Sequence, residues 1–186
     1  MTIGENVQEA IDCFERGLFE MSFVAACSAL SETIQKSLDK SQLSEHDLKG
    51  FVKNNWHLIA FAGLPRALPL PLSFPFALKR VVSQFNVHHG AEEIIVLVIC
   101  RTLAAGRLPA EFTFNSKDSF DVKDSKVFIP STLISGLTSV IIVQPINKDE
   151  AVPDKYWINI SDFKMFVSEL WGRIDLAERI VNFYAN

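Results

Sequence analysis

The chain has 186 residues, of which 48% are hydrophobic and 22% are charged, and its formal net charge is −4. This composition is typical of a globular protein and excludes an extended disordered chain. The acidic balance argues against binding nucleic acid over a broad surface, while a local basic patch remains compatible with it.

The first predicted element is a helical hairpin over residues 10–38. Apolar residues recur there every three or four positions, which places them on one face of each of two helices. Gly17 lies at the break, where a residue that accepts positive φ can end the first helix. Ser22 is the predicted cap of the second helix, because its side chain can accept from free backbone N–H groups.

More helices are predicted up to Gly106. Ser44 and Asp47 form a capping box for a third helix that ends at Gly63. The prolines within residues 65–76 forbid a continuous helix and predict a fixed extended connection that packs on the chain's own helices. A short helix is predicted over residues 75–85. The run AEEIIVLVICRTLAAG is interpreted as a further, buried helix that ends at Gly106.

The pattern changes after Arg107. The runs EFTF, DSFDV, KVFIP, SVIIVQP and YWINI are short and apolar or alternating, and they predict strands joined by turns. Ser161 is the predicted cap of a final helix that continues to the C-terminus. The predicted fold class is therefore α+β. A helical bundle over residues 1–106 precedes a small, mainly antiparallel sheet and a long C-terminal helix over residues 107–186. The second region is predicted to pack on the first, and the two form either two domains or one continuous domain.

The phrase GLFEMSFVAACSALSETIQKSL, the helices after it and His89-Gly90 ahead of another buried helix carry a family resemblance. Over residues 5–106 the chain resembles the HEPN family of helical domains. The resemblance implies an up-and-down helical bundle that is often dimeric. It also implies, for active members, cleavage of RNA without a metal by an arginine and a histidine.

The resemblance places the catalytic pair at Arg80 with His88 or His89. In such a pair the guanidinium stabilises the developing charge on the phosphate and the imidazole moves protons near neutral pH. Seven residues separate Arg80 from His88 and eight separate it from His89, and both gaps exceed the usual family spacing. The favoured function is therefore non-enzymatic.

We expect a cytoplasmic binding or regulatory protein without a cofactor. Its partner would be another protein or a second copy of the chain. A prokaryotic defence, toxin–antitoxin or immunity-type system would suit such a protein. The alternative is a metal-independent ribonuclease that acts on RNA through Arg80 with His88 or His89. The N-terminus, MTIGENVQEA, lacks the regions of a signal peptide, and no apolar run reaches the roughly 18 residues that span a bilayer.

Histidines and cysteines give no predicted metal site. His88 and His89 have no third ligand at a useful spacing, and His46 and His57 fall on a separate predicted helix. The three cysteines are widely spaced without a C-x-x-C pair, so we interpret them as reduced thiols packed as small hydrophobic side chains. They are Cys13, Cys27 and Cys100.

Two further groups have structural interpretations. Asp121-Val122-Lys123 resembles the acidic-x-Lys element of restriction-type nucleases, but it has no acidic partner on a paired strand and is interpreted as an exposed sheet edge. The aromatic residues Trp157, Phe163 and Trp171 are assigned to the seam between the last helix and the sheet, because no basic residues alternate with them as in a nucleic-acid stacking surface.

Overall fold

A computed structural model describes residues 1–64, 91–117, 120–124, 126–160 and 163–185. These residues combine a helical N-terminal part, small sheets and a C-terminal helix, which confirms the α+β class. Short 3-10 turns follow the helix Thr132–Val143 and the strand Phe163–Phe166. In chain order the elements are α1 (Ile3–Glu15), α2 (Phe19–Leu38), α3 (Glu45–Asn54), α4 (Trp56–Gly63), α5 (Ala91–Ala105), β1 (Phe112–Asn115), β2 (Asp121–Lys123), β3 (Lys126–Pro130), α6 (Thr132–Val143), β4 (Trp157–Ile160), β5 (Phe163–Phe166) and α7 (Ile174–Ala185).

The predicted hairpin is formed by α1 and α2. Gly17 has a φ of 73°, which confirms that a left-handed residue ends the first helix. Ser22 does not cap α2, because the helix already begins at Phe19. The Ser22 hydroxyl lies inside α2 and donates to the carbonyl oxygen of Ala10 at 2.6 Å. This buried bond therefore joins the two helices of the hairpin.

The capping box of Ser44 and Asp47 is confirmed at the start of α3. The helix predicted to run on to Gly63 is broken at Asn55, whose amide donates to the carbonyl oxygen of Phe51 at 2.9 Å. A side chain that satisfies a helical carbonyl in this way competes with continued backbone bonding. The helix predicted up to Gly106 is confirmed as α5, while residues 65–90 lie outside the described part of the chain.

The strands form two small sheets. The first has the order β1-β3-β2, and the second pairs β4 with β5. The pairings of β2 with β3 and of β4 with β5 are antiparallel. β1 instead runs parallel to β3, with Phe112 opposite Val127. The sheets therefore contain one parallel pairing beside the predicted antiparallel ones.

Two predicted elements are wrong in type. The run SVIIVQP was predicted as a strand, but it lies largely in α6, and Phe163–Phe166 is a strand where the last helix was predicted to begin. A short apolar run cannot be assigned by periodicity when its element is buried on every side, as α6 is over most of its length. The last helix begins at Ile174, after Gly172 with a φ of 71°.

Helix α6 lies at the centre of the molecule and positions the groove described below. It contacts α1, α2 and α4, and it also packs against β4 and α7. Residues of α6 such as Leu133, Leu137 and Val140 are fully buried. The hydrophobic core thus contains residues from both sides of position 106, and the predicted division there stays a prediction.

Candidate binding groove

A half-open groove of about 270 Å³ lies where α1, α6 and β4 meet. Most of its surface is apolar, and each of the three elements contributes adjacent or helically spaced residues. Pockets with this mixture of apolar walls and a few polar groups are the usual sites for ligands. The groove is lined by Ala10, Ile11, Phe14, Glu15, Ile134, Ser135, Thr138, Trp157, Ile158 and Asn159.

Helix α1 forms one wall because its apolar period continues to its C-terminal end. Ile11 is buried and Phe14 is half-buried. The Phe14 ring meets the ring of Phe19 edge-on, with centroids 5.4 Å apart, which holds this wall against the start of α2. Glu15, the last residue of α1, is exposed at the rim. The wall is thus apolar within and anionic at its end.

Helix α6 supplies a second side of the groove through residues one turn apart. Ile134 and Thr138 are buried, and Ser135 is half-buried. The Thr138 hydroxyl donates to the carbonyl oxygen of Ile134 at 2.8 Å, so its hydrogen is used within the helix. The Ser135 hydroxyl makes no hydrogen bond to another described residue. It can therefore form one with a ligand in the groove.

Strand β4 forms the third side. Its pairing with β5 sets Trp157 opposite Phe166 and Asn159 opposite Lys164, so these four side chains share one face of the sheet. The Lys164 ammonium lies 3.2 Å from the centroid of the Trp157 ring. This cation–π contact fixes the Trp157 ring beside the groove.

A hydrogen bond ties β4 to α1 beside the groove. The Tyr156 hydroxyl, just before β4, lies 2.9 and 2.8 Å from the two carboxylate oxygens of Asp12. Burial, together with this bond to a carboxylate, raises the pKa of Tyr156. A protonated phenol is needed to donate, so the contact holds throughout the neutral pH range. It sets the distance between the α1 wall and the strand.

The chemistry of the groove suits binding. Its lining holds one ionisable side chain, the Glu15 carboxylate, together with the polar groups of Ser135 and Asn159. The remaining lining side chains are apolar apart from Thr138. A ligand with an apolar body and a cationic or hydrogen-bond-donating group matches this arrangement.

The residues of the predicted catalytic pair, Arg80 with His88 or His89, lie outside the described residues, as does the proline-rich stretch 65–76. His46 on α3 and His57 on α4 are both exposed. Within the described ranges, no three histidine, cysteine or acidic side chains gather as metal ligands do.

The structure places the other predicted features individually. Asp121 and Lys123 are exposed on β2, one of the two edge strands of its sheet. Phe163 meets Tyr184 of α7 with ring centroids 5.3 Å apart, as predicted for the seam, and Trp171 is buried just before α7. Trp157 instead lines the groove, beside Ile158 and Asn159 of the same strand.

The interpretation of the cysteines as unpaired thiols is confirmed. Cys13 and Cys27 are buried, Cys100 is half-buried, and none forms a disulfide. Burial raises the pKa of Cys13, and its thiol donates to the Glu9 carboxylate at 3.3 Å. Burial also raises the pKa of Cys27 well above its usual range. Such thiols stay protonated and unreactive.

A family model for Rv1289 matches residues 2–186, which is nearly the whole chain. The chain belongs to the Rv1289 family. Two relatives are "Uncharacterized protein Rv1289" of Mycobacterium tuberculosis and "Uncharacterized protein Mb1320" of Mycobacterium bovis. Each is 23% identical over 189 residues, which cover 98% of this chain and 89% of the relative. No solved structure matches the chain.

Sequence reasoning missed the groove of this Rv1289-family chain. Its α6 side was not found, because residues 134–138 precede the run predicted as a strand and were assigned to no helix. One usable signal was the pair Ile134 and Thr138, four residues apart with Ser135 between them, which is helical spacing. Among the helices that the structure describes, none is long and apolar enough to span a membrane.

Proposed function

We propose that this member of the Rv1289 family is a non-enzymatic binding or regulatory protein. Its groove between α1, α6 and β4 takes up an apolar part of the partner. The observation that carries the proposal is the composition of the groove, with three elements converging on apolar walls beside a single carboxylate, Glu15. A site of this kind can bury the apolar part of a ligand and place one carboxylate beside a cationic group.

The proposal extends to the setting of the protein. A cytoplasmic role in a prokaryotic defence, toxin–antitoxin or immunity-type system is supported by the likeness of residues 5–106 to HEPN domains. The partner would be another protein or a second copy of the chain. The acidic net charge of −4 supports a protein partner over broad contact with nucleic acid.

The non-enzymatic role predicts that the purified protein leaves RNA intact. Single-stranded and hairpin RNA would be incubated with the full chain in excess chelator and followed on a denaturing gel. The reason is the long spacing between Arg80 and the histidines, since both groups must reach one phosphate for cleavage. The variants Arg80→Ala, His88→Ala and His89→Ala serve as matched comparisons.

The ribonuclease alternative makes the opposite forecast for the same gel. Cleavage by the wild-type chain that disappears in Arg80→Ala and in either histidine variant would establish catalysis and overturn the non-enzymatic role. Cleavage of equal rate in all four proteins would identify a contaminating nuclease, and removing that nuclease should leave the RNA intact.

A further inference from the structure

Strand β4 has one edge bonded to β5 and one edge turned away from it. The backbone N–H of Val167 donates to the carbonyl oxygen of Tyr156 at 3.1 Å. The strand register pairs Trp157 with Phe166, so the two hydrogen-bonded residues lie opposite each other one position beyond that pair. In an antiparallel pair, hydrogen-bonded and non-hydrogen-bonded positions alternate. The N–H and C=O groups of Trp157 and Asn159 therefore point away from β5.

These outward groups have no backbone partner within the described part of the chain. No backbone bond outside the strand ladder involves residues 157–160 there. The same stretch, Trp157 to Asn159, lines the groove. A strand edge that no described backbone group pairs with, and that borders an apolar groove, provides both parts of a known peptide-recognition mode. Hydrogen bonds between the main chains of the strand and the peptide give affinity, and the adjoining pocket selects every second side chain of the peptide.

The charge of the groove selects the kind of peptide. Glu15 is exposed at the rim, and it is the ionisable side chain in the lining. A lysine or arginine on the incoming strand would meet this carboxylate. The apolar walls, formed by residues such as Ile11, Phe14 and Ile134, would take up its aliphatic or aromatic side chains.

We propose that an extended peptide segment of a partner protein adds, as a third strand, to the edge of β4 that points away from β5. Its apolar side chains would occupy the groove, and a basic side chain would meet Glu15. This inference rests on the proposed binding function and specifies the partner as a strand whose groove-facing side chains are apolar, with one basic residue among them.

A single proline substitution in β4 tests strand addition. A random twelve-residue peptide library displayed on phage would be selected on the full-length protein, and the best peptides would be synthesised. Asn159→Pro removes an outward N–H while leaving the β4–β5 ladder intact, because edge strands accept proline on their open side. Asn159→Ala is the matched control, since it removes the side chain and keeps the N–H.

We expect peptides in which every second residue is apolar and one residue of the same set is basic. Their binding should weaken by about tenfold or more in Asn159→Pro and by less than about threefold in Asn159→Ala. The amides of Trp157 and Asn159 should also become protected from hydrogen exchange in the wild-type complex. Glu15→Lys should weaken the basic peptides further as salt is lowered. Thermal melts of each variant show whether it is folded, so that weaker peptide binding is not mistaken for unfolding.

Other outcomes separate the two proposals. Equal binding to the proline and alanine variants would overturn strand addition. If Ser135→Trp, which fills the groove, still abolished that binding, the groove would remain the site and the proposed function would stand. A library that returned no peptide sensitive to either Asn159→Pro or Ser135→Trp would overturn strand addition as well.

Discussion

Gly136→Ala is expected to destabilise the protein by about 3 kcal/mol or more, because α6 crosses α4 with no room for a side chain. A Cβ atom on Gly136 would lie 2.5 Å from the carbonyl oxygen of Ile59 and 3.0 Å from the Cα of Gly63. Both are backbone atoms, so the helices themselves would have to move apart. Equilibrium unfolding in urea measures the loss directly.

A second glycine provides the control for this substitution. Gly50 lies inside α3, and a Cβ atom there would meet nothing within 4 Å. Gly50→Ala should therefore stabilise the protein by about 0.5–1 kcal/mol, since alanine loses less conformational entropy in a helix. Unfolding free energies for Gly136→Ala and Gly50→Ala that fell within 1 kcal/mol of each other would contradict the close helix crossing.

Asn147→Ala is expected to cost about 2–4 kcal/mol, because this side chain is fully buried and joins two helices. Its amide donates to the Thr33 hydroxyl oxygen at 2.9 Å and to the carbonyl oxygen of Ile141 at 2.8 Å. Alanine would remove both bonds and leave a cavity. The measurement is again the free energy of unfolding in urea. Its dependence on urea concentration should be the same in the variant and the wild type, as expected when both unfold in two states.

Asn54→Ala is the matched control, because Asn54 is exposed at the end of α3. It should change the free energy of unfolding by no more than about 0.5 kcal/mol. Thr33→Val removes one of the two acceptors and keeps the side-chain shape. Combining it with Asn147→Ala should give a coupling free energy above about 0.5 kcal/mol. Additive effects would show that the bond to Thr33 contributes little.

The helices with clear capping and period were predictable from sequence. The box of Ser44 and Asp47 set the start of α3, and Gly17 adopts the positive φ that its position predicted. Gly106, the predicted end of α5, has a positive φ as well. These features depend on the few residues around them. Local patterns therefore sufficed for the hairpin and for α5.

The errors arose where tertiary contacts decide local structure. The β-branched run Val140–Val143 has strand propensity, yet it is helical because α6 is buried against α4 and the hairpin. The start of α6 at Thr132 was not predicted either, and this concealed the groove, since Ile134, Ser135 and Thr138 come together only on a helix. The contact between Tyr156 and Asp12 joins residues 144 positions apart, and one sequence gives no signal of it.

The groove's role is tested most directly by mapping bound fragments on the protein by NMR. A library of small apolar amines would be titrated against the ¹⁵N-labelled full chain. We predict saturable shifts at the amides of Ile11, Phe14, Ile134, Ser135 and Trp157. These shifts should be lost in Ser135→Trp and kept in Ser41→Trp, a control in an exposed bend. Shifts that cluster elsewhere, or that persist unchanged in Ser135→Trp, would contradict the assignment of this groove as the binding site.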